Sequence, residues 1–203
     1  MSYSSLWVMD KNFNGKRLGE FRNSWLFAPV AWDILLNKYI PGKPWEDKRH
    51  FISAIMFDDK LNGRLNEKIN KSVVQEDRVL WELGSQQVFF TKDKEFISNC
   101  IKKFLSVNAT LATDLGEHIH ERFTSVADSI LELNENEYPY FIMKNTSCDN
   151  TVEWWFDKYN EETEDNEPRP LSEVDTFATE FVIVENNKIS GFINNLNYFK
   201  TEE

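Results

Sequence analysis

Cysteine is scarce in this sequence, and the two cysteines, Cys100 and Cys148, do not form a CxxC pair. The sequence therefore indicates neither a disulfide framework nor a zinc site built on cysteine. No apolar run approaches the roughly 18 residues that a membrane-spanning helix needs. The first residues contain no basic region followed by a long apolar stretch, so we expect no signal peptide and predict a cytoplasmic protein.

The sequence also lacks the common fingerprints of catalysis and cofactor binding. Gly15-Lys16 has neither the upstream glycine nor the following serine or threonine of a phosphate-binding loop. No GxSxG segment, which would mark the nucleophile of an α/β-hydrolase, is present. The sequence thus assigns no catalytic residue, metal ligand or cofactor, and it favours a protein that is not an enzyme.

Basic residues are in the minority. The chain has 23 lysines and arginines against 34 aspartates and glutamates, which gives a net charge of −11. Binding to nucleic acid or to an anionic membrane needs a basic surface, so both functions are disfavoured. An acidic protein is suited instead to a basic protein partner.

Most of the negative charge lies in one segment. Residues 153–180 carry ten acidic and two basic side chains, a net charge of −8, whereas residues 1–152 carry a net charge of only −2. Within this segment the stretch EETEDNEPRP, residues 161–170, predicts an acidic loop interrupted by proline. One acidic loop therefore supplies much of the electric field of the protein.

Two tryptophans precede the acidic loop and could anchor a partner, since large aromatic side chains carry much of the energy at protein interfaces. We therefore expect a non-enzymatic protein-binding inhibitor, such as a bacterial immunity protein or a phage anti-defence protein. It would occlude a basic toxin, nuclease or defence protein. The alternative is that the loop only keeps the protein soluble. The predicted partner-binding residues are Trp154, Trp155, Glu161, Glu162, Glu164, Asp165 and Glu167.

A metal-dependent hydrolase is a second hypothesis. The segment from Asp114 to Arg122 contains two histidines and three carboxylates, which are ligand types for zinc or manganese. On a helix, however, His118 and His120 would lie about 200° apart, so one ion could not bind both. A strand would place the two histidines on the same side. The hypothesis assigns the chemistry to His118, His120 and Glu121.

A third hypothesis rests on the aromatic residues between positions 21 and 40. Proline at the start and a nearly continuous apolar surface predict a helix over 29–39 that is buried on more than one side. A small-ligand sensor would have its aromatic pocket near Trp25 and Trp32, and Trp25 is also a candidate for an exposed contact. The residues expected in the core are Trp32, Leu35 and Leu36.

Hydrophobic periodicity predicts an α+β fold, in which an antiparallel sheet packs against several helices. The clearest pattern is a C-terminal hairpin, in which residues 177–185 and 188–199 flank an Asn-Asn turn. No repeat or composition break divides the chain, so we predict one domain over 1–203 with an acidic loop at about 160–170. The other predicted strands are 4–9, 16–21, 86–91, 138–144 and 151–159, and the predicted helices are 29–39, 59–70, 76–83, 93–107 and 110–133, with 50–57 left open between strand and helix.

Overall fold

The computed structural model describes residues 3–23, 26–41, 59–145 and 151–200. Two predictions fall elsewhere in the chain: the undecided element at 50–57 and the exposure of Trp25 both lie outside the described residues. Within the described residues the predicted α+β class is confirmed, since a six-stranded sheet packs against helices. Two further strands form a separate small sheet.

The elements have the following bounds. The helices are α1 (Ala28–Tyr39), α2 (Asp59–Asn70), α3 (Gln75–Gly84), α4 (Lys94–Val107), α5 (Glu117–Leu131), α6 (Thr151–Trp155) and α7 (Asn195–Lys200). The strands are β1 (Tyr3–Met9), β2 (Gly15–Arg22), β3 (Val88–Phe90), β4 (Tyr140–Asn145), β5 (Asp157–Asn160), β6 (Asp165–Pro168), β7 (Glu180–Glu185) and β8 (Lys188–Asn194).

The large sheet has the strand order β2-β1-β4-β3-β7-β8. Its neighbours are antiparallel except for β3 and β7, which run parallel, a pairing that the sequence did not reveal. The predicted C-terminal hairpin is confirmed, with β7 and β8 joined by Asn186 and Asn187. Its second strand is shorter than the predicted 188–199, because residues from Asn195 onward form the helix α7. Both asparagines have positive φ angles, 51° and 56°. Two consecutive residues of this kind form a turn whose twist matches that of the paired strands.

Different parts of the chain cover the two faces of the large sheet. Phe141 and Val182 face the apolar sides of α1 to α5, which complete the larger core. Their neighbours Ile142 and Phe181 face the other way, where the segment 152–174 packs on the sheet. Successive side chains of a strand point to opposite faces, so strands covered on both sides are apolar throughout.

Helix α1 has the buried side chains that its sequence predicts. Trp32 is 4% exposed, and Leu35 and Leu36 are fully buried. The helix packs closely against α3, because a Cβ atom on Gly84 would lie only 2.4 Å from the indole nitrogen of Trp32. A glycine at this crossing lets the tryptophan lie directly on the backbone of α3.

The predicted strand over 151–159 is wrong. Its first five residues form the short helix α6, and only its last residues form a strand, β5. The helical period places Val152, Trp155 and Phe156 on one side, and all three are buried. A strand would have directed Trp155 and Phe156 to opposite faces, so burial of both side chains selects the helical turn.

The predicted boundaries of one helix and one strand earlier in the chain are also wrong. The helix expected from residue 110 begins only at Glu117, because Gly116 has an extended backbone (φ −71°, ψ 160°) and the residues before it form turns. The strand expected over 86–91 is shortened to β3, because Gln86 takes a positive φ of 58° and Thr91 begins a short 3-10 helix.

Candidate functional site

The acidic segment is a β-hairpin, not the predicted loop. Strands β5 and β6 pair in antiparallel register, and residues 161–164 form the turn between them. We call residues 157–168 the acidic hairpin. Every residue in it is exposed except Asn160, which is half-buried. The hairpin therefore presents almost its whole surface to solvent.

The register of the hairpin sorts its side chains onto two faces, since directly opposed residues of an antiparallel pair lie on the same face. Tyr159 lies opposite Asn166, and Lys158 lies opposite Glu167. On the face of Lys158, the Asn160 amide donates a hydrogen bond of 2.7 Å to the carboxylate of Glu167. The opposite face, which carries Tyr159 and Asn166, has no basic side chain. The two faces are therefore chemically different.

The base of the acidic hairpin is fixed to the protein. Phe156, directly before β5, is 3% exposed and stacks on Trp7 with ring centroids 5.4 Å apart. After β6, the backbone N–H of Arg169 donates to the carbonyl of Phe156 at 2.9 Å. The Leu171 N–H then donates to the carbonyl of Phe13 at 3.0 Å. Both ends of the hairpin are thus held by the core and by the turn between β1 and β2.

The structure separates the two tryptophans that sequence patterns grouped together. Trp154 is 68% exposed, whereas Trp155 is 8% exposed and belongs to the core on the outer face of the sheet. A guanidinium N–H of Arg169 donates to the Trp154 carbonyl at 2.7 Å, which fixes the backbone below the exposed indole. Trp154 therefore stays a candidate contact residue, and Trp155 supports the site from the core.

A small cavity of about 180 Å³ lies where α6 meets the acidic hairpin. Glu153 and Trp154 from α6 line it together with Asp157 and Asn166 from the hairpin. The carboxylate of Glu153 forms an ion pair of 2.7 Å with Lys144, which is 1% exposed in the middle of the sheet. The sequence signal for this pair is a lysine at the end of the apolar strand YFIMKN.

The five carboxylates predicted to bind a partner are all on the surface. Glu161, Glu162 and Glu164 lie in the turn of the hairpin, and Asp165 and Glu167 lie on β6. The structure therefore places all five carboxylates on one hairpin, and Trp154 lies beside Asp157 and Asn166 of the same hairpin.

The two histidines of the metal hypothesis do not lie on the same side of their helix. His118 and His120 are both exposed on α5, where helical geometry directs them about 200° apart. In the part of the chain that the structure describes, no group of three or more histidine, cysteine, aspartate or glutamate side chains is placed to hold a metal ion. His120 and Glu121 line an open cavity of about 610 Å³ along α5, but without a three-ligand group among the described residues the hydrolase hypothesis gains no metal site.

The sensor hypothesis also gains no support. Trp32 is 4% exposed and is covered by α3 and by the surrounding core, so among the described residues its indole has almost no surface for a ligand. The other tryptophan of that hypothesis, Trp25, lies outside the described residues.

A buried carboxyl group lies far from the acidic hairpin, on α3. Glu82 is 2% exposed, and its Oε1 atom has no hydrogen-bond partner. Burial raises the pKa of Glu82 to about 8, and the nearby carboxylate of Glu180 adds to the rise. Asn70 and Arg78 partly oppose this shift. The group is therefore largely protonated at neutral pH, and it belongs to the packing of α3 against the sheet.

No protein-family model matches the chain, and no curated protein or solved structure is significantly similar to it. Among the helices of residues 3–23, 26–41, 59–145 and 151–200, none is long and apolar enough to cross a membrane.

Proposed function

We propose that the protein is a non-enzymatic inhibitor that binds a basic protein partner and neutralises it by occlusion. Bacterial immunity proteins and phage anti-defence proteins act in this way. The observation that carries the proposal is the acidic hairpin, an exposed and firmly anchored element beside an exposed tryptophan. The partner would be a toxin, a nuclease or a defence protein whose active face is rich in lysine and arginine.

The charge of the acidic hairpin supports this proposal. Residues 157–168 contain six acidic side chains and one basic side chain, a net charge of −5. Charge of one sign concentrated on an exposed element attracts an oppositely charged partner over about one Debye length, roughly 10 Å at moderate salt. Such steering raises the association rate and selects among partners more than it adds to affinity.

The anchoring of the hairpin favours binding over simple solubility. A segment that only kept the protein soluble would need charge but no fixed base, and it would gain nothing from an exposed indole. Here Phe156 and Arg169 hold the ends of the hairpin, and Trp154 stands beside it at 68% exposure. A preformed surface loses less conformational entropy when it binds, so it binds more tightly.

Neutralising the hairpin should abolish partner capture at moderate salt. The hairpin variant replaces five carboxylates with amides, each of which keeps one oxygen as a hydrogen-bond acceptor. Immobilised wild-type protein should retain a stoichiometric partner from a lysate of the cells that produce it, and the hairpin variant should retain at least about tenfold less. Mass spectrometry and densitometry of the eluates give this ratio. The substitutions are Glu161→Gln, Glu162→Gln, Glu164→Gln, Asp165→Asn and Glu167→Gln.

A second variant with the same change of net charge serves as the control. It alters exposed acidic residues around α5, on the helical side of the sheet. This control variant should capture the partner like the wild type. Equal capture by the hairpin variant, or equal loss in both variants, would contradict the proposed role of the hairpin. The control substitutions are Asp114→Asn, Glu117→Gln, Glu132→Gln, Glu135→Gln and Glu137→Gln.

Trp154→Ala should weaken binding of the captured partner about 30-fold, since an exposed tryptophan at the centre of an interface typically contributes about 2 kcal/mol. Isothermal titration with the purified partner measures the dissociation constant. The control is Val73→Ala, which truncates a side chain that is 90% exposed between α2 and α3, in the helical layer. A dissociation constant unchanged by Trp154→Ala would remove this residue from the interface.

A further inference from the structure

The cavity beside the acidic hairpin has the size of one side chain. Its volume is about 180 Å³, whereas pockets for drug-sized ligands measure roughly 300–1,000 Å³. The cavity opens on the same face of the hairpin as Tyr159 and Asn166, which is the face without a basic side chain. A side chain from a partner docked on the hairpin could therefore reach it.

Among the described residues that line the cavity, one carboxylate takes part in no ion pair. Glu153 is paired with the buried ammonium group of Lys144, which also holds the Glu153 carboxylate in place. Asp157 is exposed, and within the described residues it takes part in no ion pair. The Arg169 guanidinium does not line the cavity, and two of its nitrogens donate to the carbonyls of residues 154 and 155. The cavity therefore suits a ligand group that carries one positive charge.

The remaining walls favour a planar cation. Trp154 lines the cavity and is 68% exposed, so it offers an aromatic surface there. A guanidinium group stacks well on an aromatic face while its edge donates several hydrogen bonds. Oxygen acceptors are available on three other lining residues, Glu153, Asp157 and Asn166. A lysine ammonium would use the charge but would leave much of the planar indole surface without contact.

We propose that this cavity is an arginine-binding subsite, which receives one arginine side chain of the partner between Trp154 and Asp157. The inference rests on the proposed function and deepens it by naming the group that the partner inserts. Charge at the tip of the hairpin would guide the partner, and the cavity would fix its orientation.

The test uses the full-length protein and three small probes. N-acetyl-arginine methylamide is titrated while the indole N–H signal of Trp154 is followed by NMR, with the signal assigned from a Trp154→Phe variant. N-acetyl-citrulline methylamide, the neutral isostere of arginine, and N-acetyl-lysine methylamide are titrated in the same way. The arginine probe should shift the Trp154 signal saturably with a millimolar dissociation constant. The citrulline probe should produce no saturable shift, and the lysine probe should bind at least about fivefold more weakly.

One substitution pair tests whether the charge of the cavity is responsible. Asp157→Asn keeps the size of an exposed side chain and should weaken arginine binding at least about fivefold. Glu117→Gln removes an exposed charge on α5 and should leave binding unchanged. Equal binding of arginine and citrulline, equal binding of arginine and lysine, no Trp154 shift, or equal effects of the two substitutions would each overturn the assignment.

This titration contains no partner protein, so its outcome is separate from that of the proposed function. Arginine binding together with equal partner capture by the hairpin variant would leave the subsite standing and contradict the role of the hairpin. Absence of arginine binding together with the expected loss of capture would contradict the subsite and leave the proposed function standing.

Discussion

Replacing Gly15 with alanine is expected to lower the free energy of unfolding by about 3 kcal/mol. A Cβ atom at this position would lie 2.2–2.5 Å from three carbons of the Phe156 ring. The ring cannot move freely, because it is 3% exposed and stacks on Trp7. Overpacking of this kind forces side chains off their preferred rotamers or shifts the backbone. Since Phe156 directly precedes β5, the same substitution should loosen the acidic hairpin.

Gly19→Ala is the matched control, because Gly19 lies in the same strand, β2, and a Cβ atom there would meet nothing within 4 Å. This substitution should leave stability unchanged or raise it by up to about 1 kcal/mol, since glycine within a strand is less favourable than alanine. Urea unfolding followed by tryptophan fluorescence measures both variants. If the Gly15 and Gly19 variants were equally stable, the packing of the Phe156 ring would not require a glycine at position 15.

Glu82→Gln is expected to stabilise the protein relative to the wild type as the pH rises. The difference in free energy of unfolding between variant and wild type should be about 3–4 kcal/mol larger at pH 8.5 than at pH 5. Glu82 has a pKa of about 8 in the folded protein and 4.5 as its ordinary value. Between these two values the unfolded chain has lost the proton and the folded protein still holds it. Stability of the wild type therefore falls as pH rises from about 4.5, and the fall levels off above pH 8. Glutamine does not titrate, so this contribution disappears.

The measurement is urea unfolding of wild type and variant at several pH values between 5 and 8.5. Glu180, whose pKa is also raised by burial, stays in both proteins and contributes a slope of the same sign to each. Glu117→Gln, an exposed change on α5, should not alter the pH dependence. Parallel pH profiles for wild type and Glu82→Gln would show that Glu82 is ionised in the folded protein at pH 7.

Sequence patterns predicted the elements in which buried side chains recur with the regular period of a helix or a strand. Helix α1 is apolar on several sides, and Trp32, Leu35 and Leu36 are buried as expected. The Asn-Asn turn between two alternating runs predicted the C-terminal hairpin, because those residues tolerate the positive φ that the turn needs. The parallel pairing of β3 with β7 was not predictable in this way, since it joins segments about 90 residues apart.

The sequence predicted the negative charge of the candidate site, but it did not predict the fold of the acidic segment. Counting carboxylates located the acidic segment, but it revealed neither the pairing of that segment into two strands nor the packing of Phe156 on Trp7, which is far away in the chain. The adjacent residues Trp154 and Trp155 look alike in sequence. Only the helical turn of α6 decides that one is exposed and the other buried. The pairing of Lys144 with Glu153 likewise depends on the tertiary fold.

The most direct test of the central claim is the association rate constant with the captured partner, measured by stopped-flow fluorescence from about 0.05 to about 0.5 M salt. For wild type and for the control variant, the rate constant should fall at least about tenfold over this range, because added salt screens the attraction. The hairpin variant should associate slowly at low salt and show little dependence on salt. A hairpin variant that kept both the wild-type rate constant and its salt dependence would contradict the claim that the acidic hairpin binds a basic partner.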